Sequence, residues 1–204
     1  MKKIIENTIF IIIYLIIMIM VIFNKLSFLD TYIYKIIYGL RNAFWDFIFI
    51  NITKMGNITI ILIIVIALLL KINRKNQEIL SLTVILTVLS NQLIKLIVKR
   101  PRPNHIRLIR QAGYSFPSGH SMISIAVYGF LLYYIQKKYK KKYSKVIIST
   151  ILVLIIIMIG ISRVYVGVHY PSDIVGGYFL SIYILKMVIY FSQKNKGSLI
   201  KKVR

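Results

Sequence analysis

The sequence predicts an all-α integral membrane protein, a six-transmembrane-helix bundle with an amphipathic interfacial segment after the first span. The 204-residue chain is 58% hydrophobic and has a mean hydropathy of +0.75, whereas soluble domains are roughly 45–50% apolar. Uncharged runs such as Ile9–Phe23 and Val146–Ile161 are typical of helices that cross a bilayer, which takes about 20 residues. The length is that of one domain, residues 1–204.

Six apolar segments are the predicted spans. They should be helices because backbone polar groups cannot remain unpaired in lipid, and burial outweighs the modest helix propensity of Ile and Val. The first run lacks a small-x-small cleavage site, so we interpret it as a retained span and not as a signal peptide. The spans are predicted at about Ile5–Phe23, Gly56–Ile72, Ile79–Lys99, Gly119–Gln136, Lys145–Ile161 and Ser172–Phe191.

Segment Leu26–Phe47 has a different pattern. Its apolar residues recur at three- and four-residue steps, which predicts an amphipathic helix, or two short ones, lying on the outer membrane surface. It would serve as an anchor or as a lid over a slot that admits lipid. The apolar stripe comprises Leu26, Leu29, Ile33, Ile36, Leu40, Phe44 and Phe47. Asp30, Lys35, Arg41 and Asp46 fall off this stripe.

The distribution of charge predicts the orientation in the membrane. The net charge is +23, and sixteen of the 28 Lys and Arg residues lie in the termini and in the connections on one side. By the positive-inside rule, that side and both termini face the cytoplasm. Cations placed in loops between apolar runs favour contact with anionic lipid headgroups over nucleic acid. The chain has no cysteine, which excludes disulfides, thiolate metal sites and a cysteine nucleophile.

The outer connection 99–110 is itself basic, although the topological bias alone would keep cations out of it. Its five cations are Lys99, Arg100, Arg102, Arg107 and Arg110. An anionic ligand on the outer face is the simplest cause of their presence.

The motif Lys95-x6-Arg102-Pro103 ends the third span. Pro101 and Pro103 stop the helix and hold the following residues extended. Lys95 lies one to two turns inside the membrane boundary, where an ionisable group is costly and a candidate for function; the alternative is a lysine that snorkels to the headgroups. Arg102 offers a planar fork that suits phosphate oxygens.

The motif Pro117-Ser118-Gly119-His120 opens the fourth span. The first N–H groups of a helix, together with its dipole, can bind an anion, and Gly119 lets the backbone approach the ligand closely. His120 would lie in the first turn, directed at that anion. The alternative is a serine that only caps the helix and a histidine on the surface.

The motif Ser162-Arg163-x5-His169-x3-Asp173 joins the last two spans. Pro171 suits the first position of a helix, so Asp173 should lie in its first turn. A carboxylate there can accept the N–H of His169 and fix its tautomer, and Arg163 adds a second guanidinium. In isolation, an interfacial histidine beside a helix-start aspartate is the alternative.

The predicted topology brings all three motifs, numbered one to three in chain order, to the outer face. Two histidines and a carboxylate could form a metal site, but the cations Lys95, Arg102 and Arg163 argue against a bound cation and favour phosphate. We therefore predict no metal and no cofactor. His105, in the connecting loop, has no partner by spacing and is interpreted as a loop residue.

Together, the three motifs resemble the signature of the type 2 phosphatidic acid phosphatase family, which also includes vanadium-dependent haloperoxidases and bacterial acid phosphatases. Order, spacing and residue types agree over the core region 95–173, and the six-span layout resembles the integral-membrane lipid phosphatases of the family. The resemblance implies a metal-independent phosphatase acting through a phosphohistidine. It implies that His169 is the nucleophile, that Asp173 orients it and that His120 protonates the leaving oxygen. The phosphate would be held by Lys95, Arg102, Ser118, Gly119 and Arg163.

The implied substrate is a lipid phosphate in the bilayer. A small bacterial protein of this kind most resembles undecaprenyl diphosphate phosphatases, which recycle the cell-wall carrier lipid, with phosphatidate or phosphatidylglycerophosphate as the close alternative. A vanadium haloperoxidase-like enzyme and a non-catalytic protein that binds or transports lipid phosphates are more distant alternatives. The sequence leaves the choice of lipid and the oligomeric state open.

Overall fold

The computed structural model describes residues 2–104, 106–139 and 141–202, and over these residues every regular element is helical. The predicted all-α architecture is thereby confirmed, whereas His105 lies outside the described residues. The elements are α1 (Lys2–Ile22), α2 (Ser27–Gly39), α3 (Ala43–Lys54), α4 (Ile58–Leu69), α5 (Arg74–Val98), α6 (Gly119–Ser124), a π-helical turn (Ile125–Gly129), α7 (Phe130–Lys138), α8 (Lys142–Tyr165) and α9 (Pro171–Lys202).

Several helices are long and apolar enough to cross a membrane. Among the described residues, α5, α8 and α9 as far as Lys194 each meet this requirement alone. Two bent pairs raise the number to five if each pair counts as one span: α1 with α2, bent by 93°, and α3 with α4, bent by 45°. The predicted fourth segment is a continuous helical run formed by α6, the π-helical turn and α7.

Segment Leu26–Phe47 forms two short helices, α2 and the first part of α3. Most of its apolar stripe is exposed, as Leu29 and Phe47 illustrate, whereas Asp30 is buried to 1% exposure. The reason is that Asp30 pairs with the cationic side chain of Arg100, while the apolar side chains point away from the protein, where a lipid surface can cover them. The side chain of Asn42 caps α3 by accepting the N–H of Trp45.

Helix α9 is the central packing element, because α1, α5, α6 and the π-helical turn all contact it. It also packs against α8, where Gly160 permits a close approach: a Cβ at that position would overlap the hydroxyl of Tyr178. That hydroxyl instead donates to the carbonyl of Ile156 at 2.5 Å. Since both ends of motif three lie at the α8–α9 corner, this packing fixes their separation.

The connection between α5 and α6 carries the basic residues over the end of the bundle. Lys99 ends α5 in the left-handed region, with φ of 49°, and Pro101 prevents the helix from continuing. Ser115 holds the two ends of the loop together: its N–H donates to the carbonyl of Arg100 at 2.9 Å and its hydroxyl to that of Pro101 at 3.0 Å. This clasp places Arg102 beside the α8–α9 corner.

Candidate active site

Arg102 joins motif one to motif three. Its side chain is 7% exposed, and its Nη1 lies 3.3 Å from Nε2 of His169. The other contacts of the guanidinium are donations to backbone carbonyls at 2.8–3.1 Å, of Val168, Ala112, Gly113 and Tyr114. Burial lowers the pKa of Arg102 to about 10, with Arg107 adding to the effect and Asp173 opposing it. The group therefore stays charged at neutral pH, and its orientation is fixed before any ligand binds.

His169 and Asp173 form a buried pair. Nδ1 of His169 lies 3.3 Å from Oδ2 of Asp173, and the two residues are 2% and 0% exposed. Burial holds the pKa of His169 well below its usual range, and the nearby Arg163, Arg102 and Lys95 lower it further. The imidazole is thus neutral, and the carboxylate assigns its proton to Nδ1. Nε2 is left with a lone pair that faces the cations.

Arg100 and Asp30 hold the other side of Asp173. Nη1 of Arg100 donates to Oδ1 of Asp173 at 2.6 Å, and its Nη2 donates to Oδ2 of Asp30 at 2.6 Å. Burial would lower the pKa of Arg100, but Asp173 and Asp30 outweigh this effect and raise it. Its guanidinium also lies 4.1 Å from the ring centre of Tyr170. The sequence alone gives these two residues no role: Arg100 is one of several cations in the basic connection 99–110, and Asp30 falls off the apolar stripe.

Arg163 is almost fully buried at the end of α8, at 1% exposure. Its Nη1 donates to the hydroxyl of Thr53 at 2.7 Å, and its Nη2 donates to Oε1 of Gln111 at 3.0 Å. Its Nε has no partner among the described residues. A buried guanidinium with a free N–H is suited to an anion, because an unsatisfied buried donor is costly. Neither Thr53 nor Gln111 was anticipated, since no local pattern surrounds them.

Motif two is connected to motif three through the backbone of Ser118. The N–H of Ser118 donates to the carbonyl of Asp173 at 3.1 Å, and its side chain caps α6 by accepting the N–H of Ser121 at 3.4 Å. Ser118 is fully buried. Within the described part of the chain, the N–H groups of Gly119 and His120 have no acceptor, as is usual at a helix start. The side chain of Ser118 thus acts as the helix cap, and the N–H groups that follow it are available.

His120 and Lys95 complete the cluster. His120 interacts electrostatically with Arg163, His169 and Lys95, and Lys95 does so with Arg102 and Asp173. The imidazole of His120 occupies space that a side chain at residue 56 would take. A Cβ on Gly56 would lie 2.9 Å from Cδ2 of His120 and 3.0 Å from Ile159. The predicted site residues are therefore brought together, although the structure alone assigns them no catalytic roles.

A cavity of about 260 Å³ adjoins His120 between the end of α3, α4, α5 and α6. Its lining is mostly apolar, with polar atoms from Thr87, Asn91 and Gln92. The hydroxyl of Thr87 is buried and lacks a partner among the described residues. The Nδ2 of Asn91 donates to the carbonyl of Pro117 at 3.0 Å. The cavity can accept an apolar chain or a weakly polar group. It lies on the side of the cluster that His120 occupies.

The arrangement supplies the parts of a phosphoryl-transfer site. Three cations can neutralise phosphate oxygens, and an oriented neutral imidazole presents a nucleophilic nitrogen among them. A second histidine, beside a largely apolar cavity, can exchange a proton with a leaving group.

The sequence of residues 78–197, more than half of the chain, matches the PAP2 superfamily. Phosphatidylglycerophosphatase B of Bacillus subtilis (strain 168) is 34% identical over 114 residues, which are 53% of this chain and 54% of the relative. The chain thus spans about half the length of that relative. Undecaprenyl-diphosphatase BcrC of the same organism is 30% identical over 169 residues, covering 78% of this chain and 82% of the relative.

Two solved structures are similar to this one. The crystal structure of a transmembrane PAP2-type phosphatidylglycerolphosphate phosphatase from Bacillus subtilis superposes with a TM-score of 0.82 at 28% identity, over 95% of this chain and 98% of the other. LpxE of Aquifex aeolicus superposes with a TM-score of 0.68 at 23% identity, over 79% of this chain and 95% of the other. The second likeness concerns the fold alone.

Proposed function

Since this chain belongs to the PAP2 superfamily, we propose that it is a membrane lipid phosphatase that acts through a phosphohistidine on His169. The observation that carries the proposal is the buried line from Asp173 through His169 to Arg102, with 3.3 Å on each side of the imidazole. It orients Nε2 at a place where cations can hold a phosphate. The catalytic unit is the single domain 1–204.

In the first step, Nε2 of His169 attacks the phosphorus. A P–N bond forms and the P–O bond to the leaving group breaks, while His120 gives its proton to the leaving oxygen. Asp173 keeps the Nδ1 proton and stabilises the positive charge that develops on the ring of His169.

In the second step, His120, now neutral, takes a proton from a water molecule. The water oxygen bonds to phosphorus, the P–N bond breaks, and inorganic phosphate leaves. The covalent intermediate thus divides one difficult displacement into two easier ones. In both steps Arg163 and the N–H of Gly119 donate to the phosphate, and the charges of Lys95 and Arg102 stabilise it. Ser118 contributes by capping α6, which fixes the position of the Gly119 N–H.

The proposed topology has six spans with both termini in the cytoplasm and the site on the outer face. The spans are α1, α4, α5, the run from α6 to α7, α8 and α9, with α2 and α3 at the outer interface. The excess of Lys and Arg on the opposite side supports this orientation. The exposed apolar side chains of α2, such as Phe28 at 83% and Tyr32 at 57%, support its contact with lipid as an anchor or a lid.

Undecaprenyl diphosphate is the proposed substrate, with phosphatidylglycerophosphate or phosphatidate as the alternative. The match to undecaprenyl-diphosphatase BcrC covers 82% of that protein, which supports the first. The higher identity to phosphatidylglycerophosphatase B supports the second, although it covers only 54% of that relative. The cavity beside His120 lies where the leaving lipid would bind.

The test is phosphate release by the purified protein from undecaprenyl diphosphate, phosphatidylglycerophosphate and phosphatidate in matched micelles. We expect the highest kcat/KM for undecaprenyl diphosphate, and His169→Ala should abolish release from all three. His105→Ala is the control for losing a histidine outside the motifs. Denaturation in alkali, in which a phosphohistidine is stable, should trap labelled wild-type protein and unlabelled His169→Ala when the substrate carries label on its terminal phosphate. Turnover by His169→Ala would contradict the mechanism, and preference for a glycerol lipid would reverse the choice of substrate.

A further inference from the structure

We propose that Asp30 is a positioning residue for the reaction, and that it acts through Arg100 to hold the carboxylate of Asp173 in line with His169. The inference rests on the proposed role of His169 as nucleophile. It assigns a function to a residue of α2, a helix that lies outside the three motifs and contributes no group to the phosphate site itself.

A continuous chain of hydrogen bonds connects Asp30 to the imidazole. Oδ2 of Asp30 accepts from Nη2 of Arg100 at 2.6 Å, and Nη1 of Arg100 donates to Oδ1 of Asp173 at 2.6 Å. The opposite oxygen of Asp173, Oδ2, accepts the N–H of Tyr170 at 2.9 Å and faces Nδ1 of His169. Because Arg100 and the N–H of Tyr170 hold the two oxygens, the carboxylate is fixed with Oδ2 facing the imidazole.

Ser172 closes the network into a ring. Its N–H donates to Oδ1 of Asp30 at 2.9 Å and its hydroxyl donates to Oδ2 of Asp30 at 2.6 Å. The same hydroxyl accepts from Nη1 of Arg100 at 2.8 Å. Both oxygens of Asp30 are thus occupied, and Asp30 fixes the guanidinium and the first turn of α9 together. Asp173, one residue after Ser172, has no free rotation left in its carboxylate.

The charges in this network explain why it needs two acids. The side chains of Asp30 and Asp173 are 2% and 0% exposed, and that of Arg100 is 11% exposed. Two carboxylates share one guanidinium, so Arg100 holds Asp173 without fully neutralising it. The remaining negative charge is available to the imidazolium-like ring that forms when His169 carries the phosphoryl group. Without Asp30, the whole charge of Arg100 would act on Asp173 and weaken that support.

The location of Asp30 makes it a link between the lipid-facing helix and the reaction. Asp30 and Tyr34 are the buried residues of α2 among those described, whereas Phe28 and Ile36 on the same helix are 83% and 53% exposed. The register of α2 on the protein therefore depends strongly on the contact that Asp30 makes. A shift of α2 would move Arg100 and release the carboxylate of Asp173.

The test compares Asp30→Asn with Asp46→Asn, a matched control on the neighbouring helix. Asp46 accepts the hydroxyl of Tyr165 at 2.7 Å but lies outside the ring. With the wild-type protein's preferred lipid, Asp30→Asn should lower kcat about 10- to 100-fold with KM nearly unchanged, because misplacement by about 1 Å can cost that much. The kcat is expressed per active site, counted as one for each molecule of monodisperse protein recovered from size-exclusion chromatography.

A double-mutant cycle decides whether Asp30 acts through Arg100. Arg100→Gln should lower kcat at least as much as Asp30→Asn, and the double variant should be no worse than Arg100→Gln alone. Independent, multiplying effects would contradict the proposed path. Ser172→Ala provides a milder test, because it leaves no buried charge unpaired. It can therefore be measured even if Asp30→Asn does not fold. It should lower kcat about fivefold, the value of roughly one hydrogen bond, again with unchanged KM.

The proposal is overturned if Asp30→Asn and Ser172→Ala keep a kcat per active site within about threefold of Asp46→Asn. It is equally overturned if they lower only the melting temperature, which a purely structural role would do. Failure of the proposed function is distinguishable, because His169→Ala would then still release phosphate. If the wild type and Asp30→Asn are fully active and His169→Ala is inactive, this inference is refuted and the proposed function stands.

Discussion

At the scale of single residues, burial and partner choice decide what each polar group can do. His169 is buried between a carboxylate and a guanidinium, so its neutral form is favoured and one ring nitrogen is assigned to each neighbour. Arg163 has a buried Nε without a partner in the described structure, whereas Arg102 is occupied by backbone carbonyls. The two guanidinium groups thus differ: Arg102 is held rigidly in place, and Arg163 keeps a donor available for the phosphate.

The low pKa of His169 predicts a pH dependence of stability. Its pKa in the folded protein lies well below the unfolded value of about 6.5, so the unfolded state binds the extra proton first. The contribution of His169 is complete above pH ~6.5 and is lost as the pH falls from there towards the folded pKa, by up to ~1.4 kcal/mol per pH unit. His169→Gln should therefore show a weaker fall in melting temperature between pH 6.5 and 5 than the wild type. Identical slopes would contradict the depressed pKa.

The free Nε of Arg163 predicts that lysine cannot replace this residue. Arg163→Lys keeps a charge but loses the fork that contacts Thr53 and Gln111 and that is proposed to hold the phosphate, so kcat/KM should fall about 100-fold. Arg107→Lys is the control, because Arg107 lies outside the proposed phosphate site and its side chain donates to the carbonyl of Pro103. Steady-state phosphate release measures both variants. Equal activity of the two would show that Arg163 does not contact the substrate.

At the scale of elements, the motifs could be predicted from the sequence because each lies at a helix end with a fixed spacing. Proline and glycine mark those ends, so the placement of Lys95, His120 and Asp173 followed from local rules. Arg100 and Asp30 could not be paired in this way. Their contact joins residues 70 apart, and it exists only because α2 turns by 93° from α1 and lays its polar side on the protein.

Gly56, at the junction of α3 and α4, allows a steric test of the position of His120. Gly56→Ala would place a Cβ 2.9 Å from Cδ2 of His120, so the imidazole must move and kcat should fall at least about tenfold. Gly39→Ala is the matched control, because a Cβ there meets nothing within 4 Å. Phosphate release from both variants is compared at saturating substrate. An unaffected Gly56→Ala would indicate that the position of His120 is not critical.

The polar face of α5 predicts a role for Thr87 in binding the leaving group. Its buried hydroxyl lacks a described partner, so Thr87→Val should not lower the melting temperature but should lower kcat/KM about fivefold by removing one hydrogen bond to the lipid. Thr83→Val, one turn earlier, is the control because the hydroxyl of Thr83 already donates to the carbonyl of Ile79 at 2.7 Å. A lower melting temperature and an unchanged kcat/KM for Thr87→Val would indicate that the cavity does not bind the lipid.

At the scale of the whole molecule, the family resemblance read from the three motifs is confirmed by the match over residues 78–197. The all-helical membrane architecture is also confirmed, whereas six spans remain a prediction. The reason is physical: hydropathy reports apolar length but not bends, and α3 and α4 are each only 12 residues long and meet at 45°. The choice of lipid was beyond the sequence because an apolar cavity accepts many long chains.

The orientation of the molecule in the membrane gives the last prediction, and the absence of cysteine from the chain makes it directly testable. Arg110 lies on the proposed outer loop, and Lys75 and Lys142 lie on proposed cytoplasmic connections; Arg110 and Lys142 are exposed. In intact cells, a membrane-impermeant maleimide should label Arg110→Cys, whereas Lys75→Cys and Lys142→Cys should react only after permeabilisation. The reverse labelling pattern would place the proposed site at the cytoplasmic face of the membrane. It would then act on lipids of the inner leaflet.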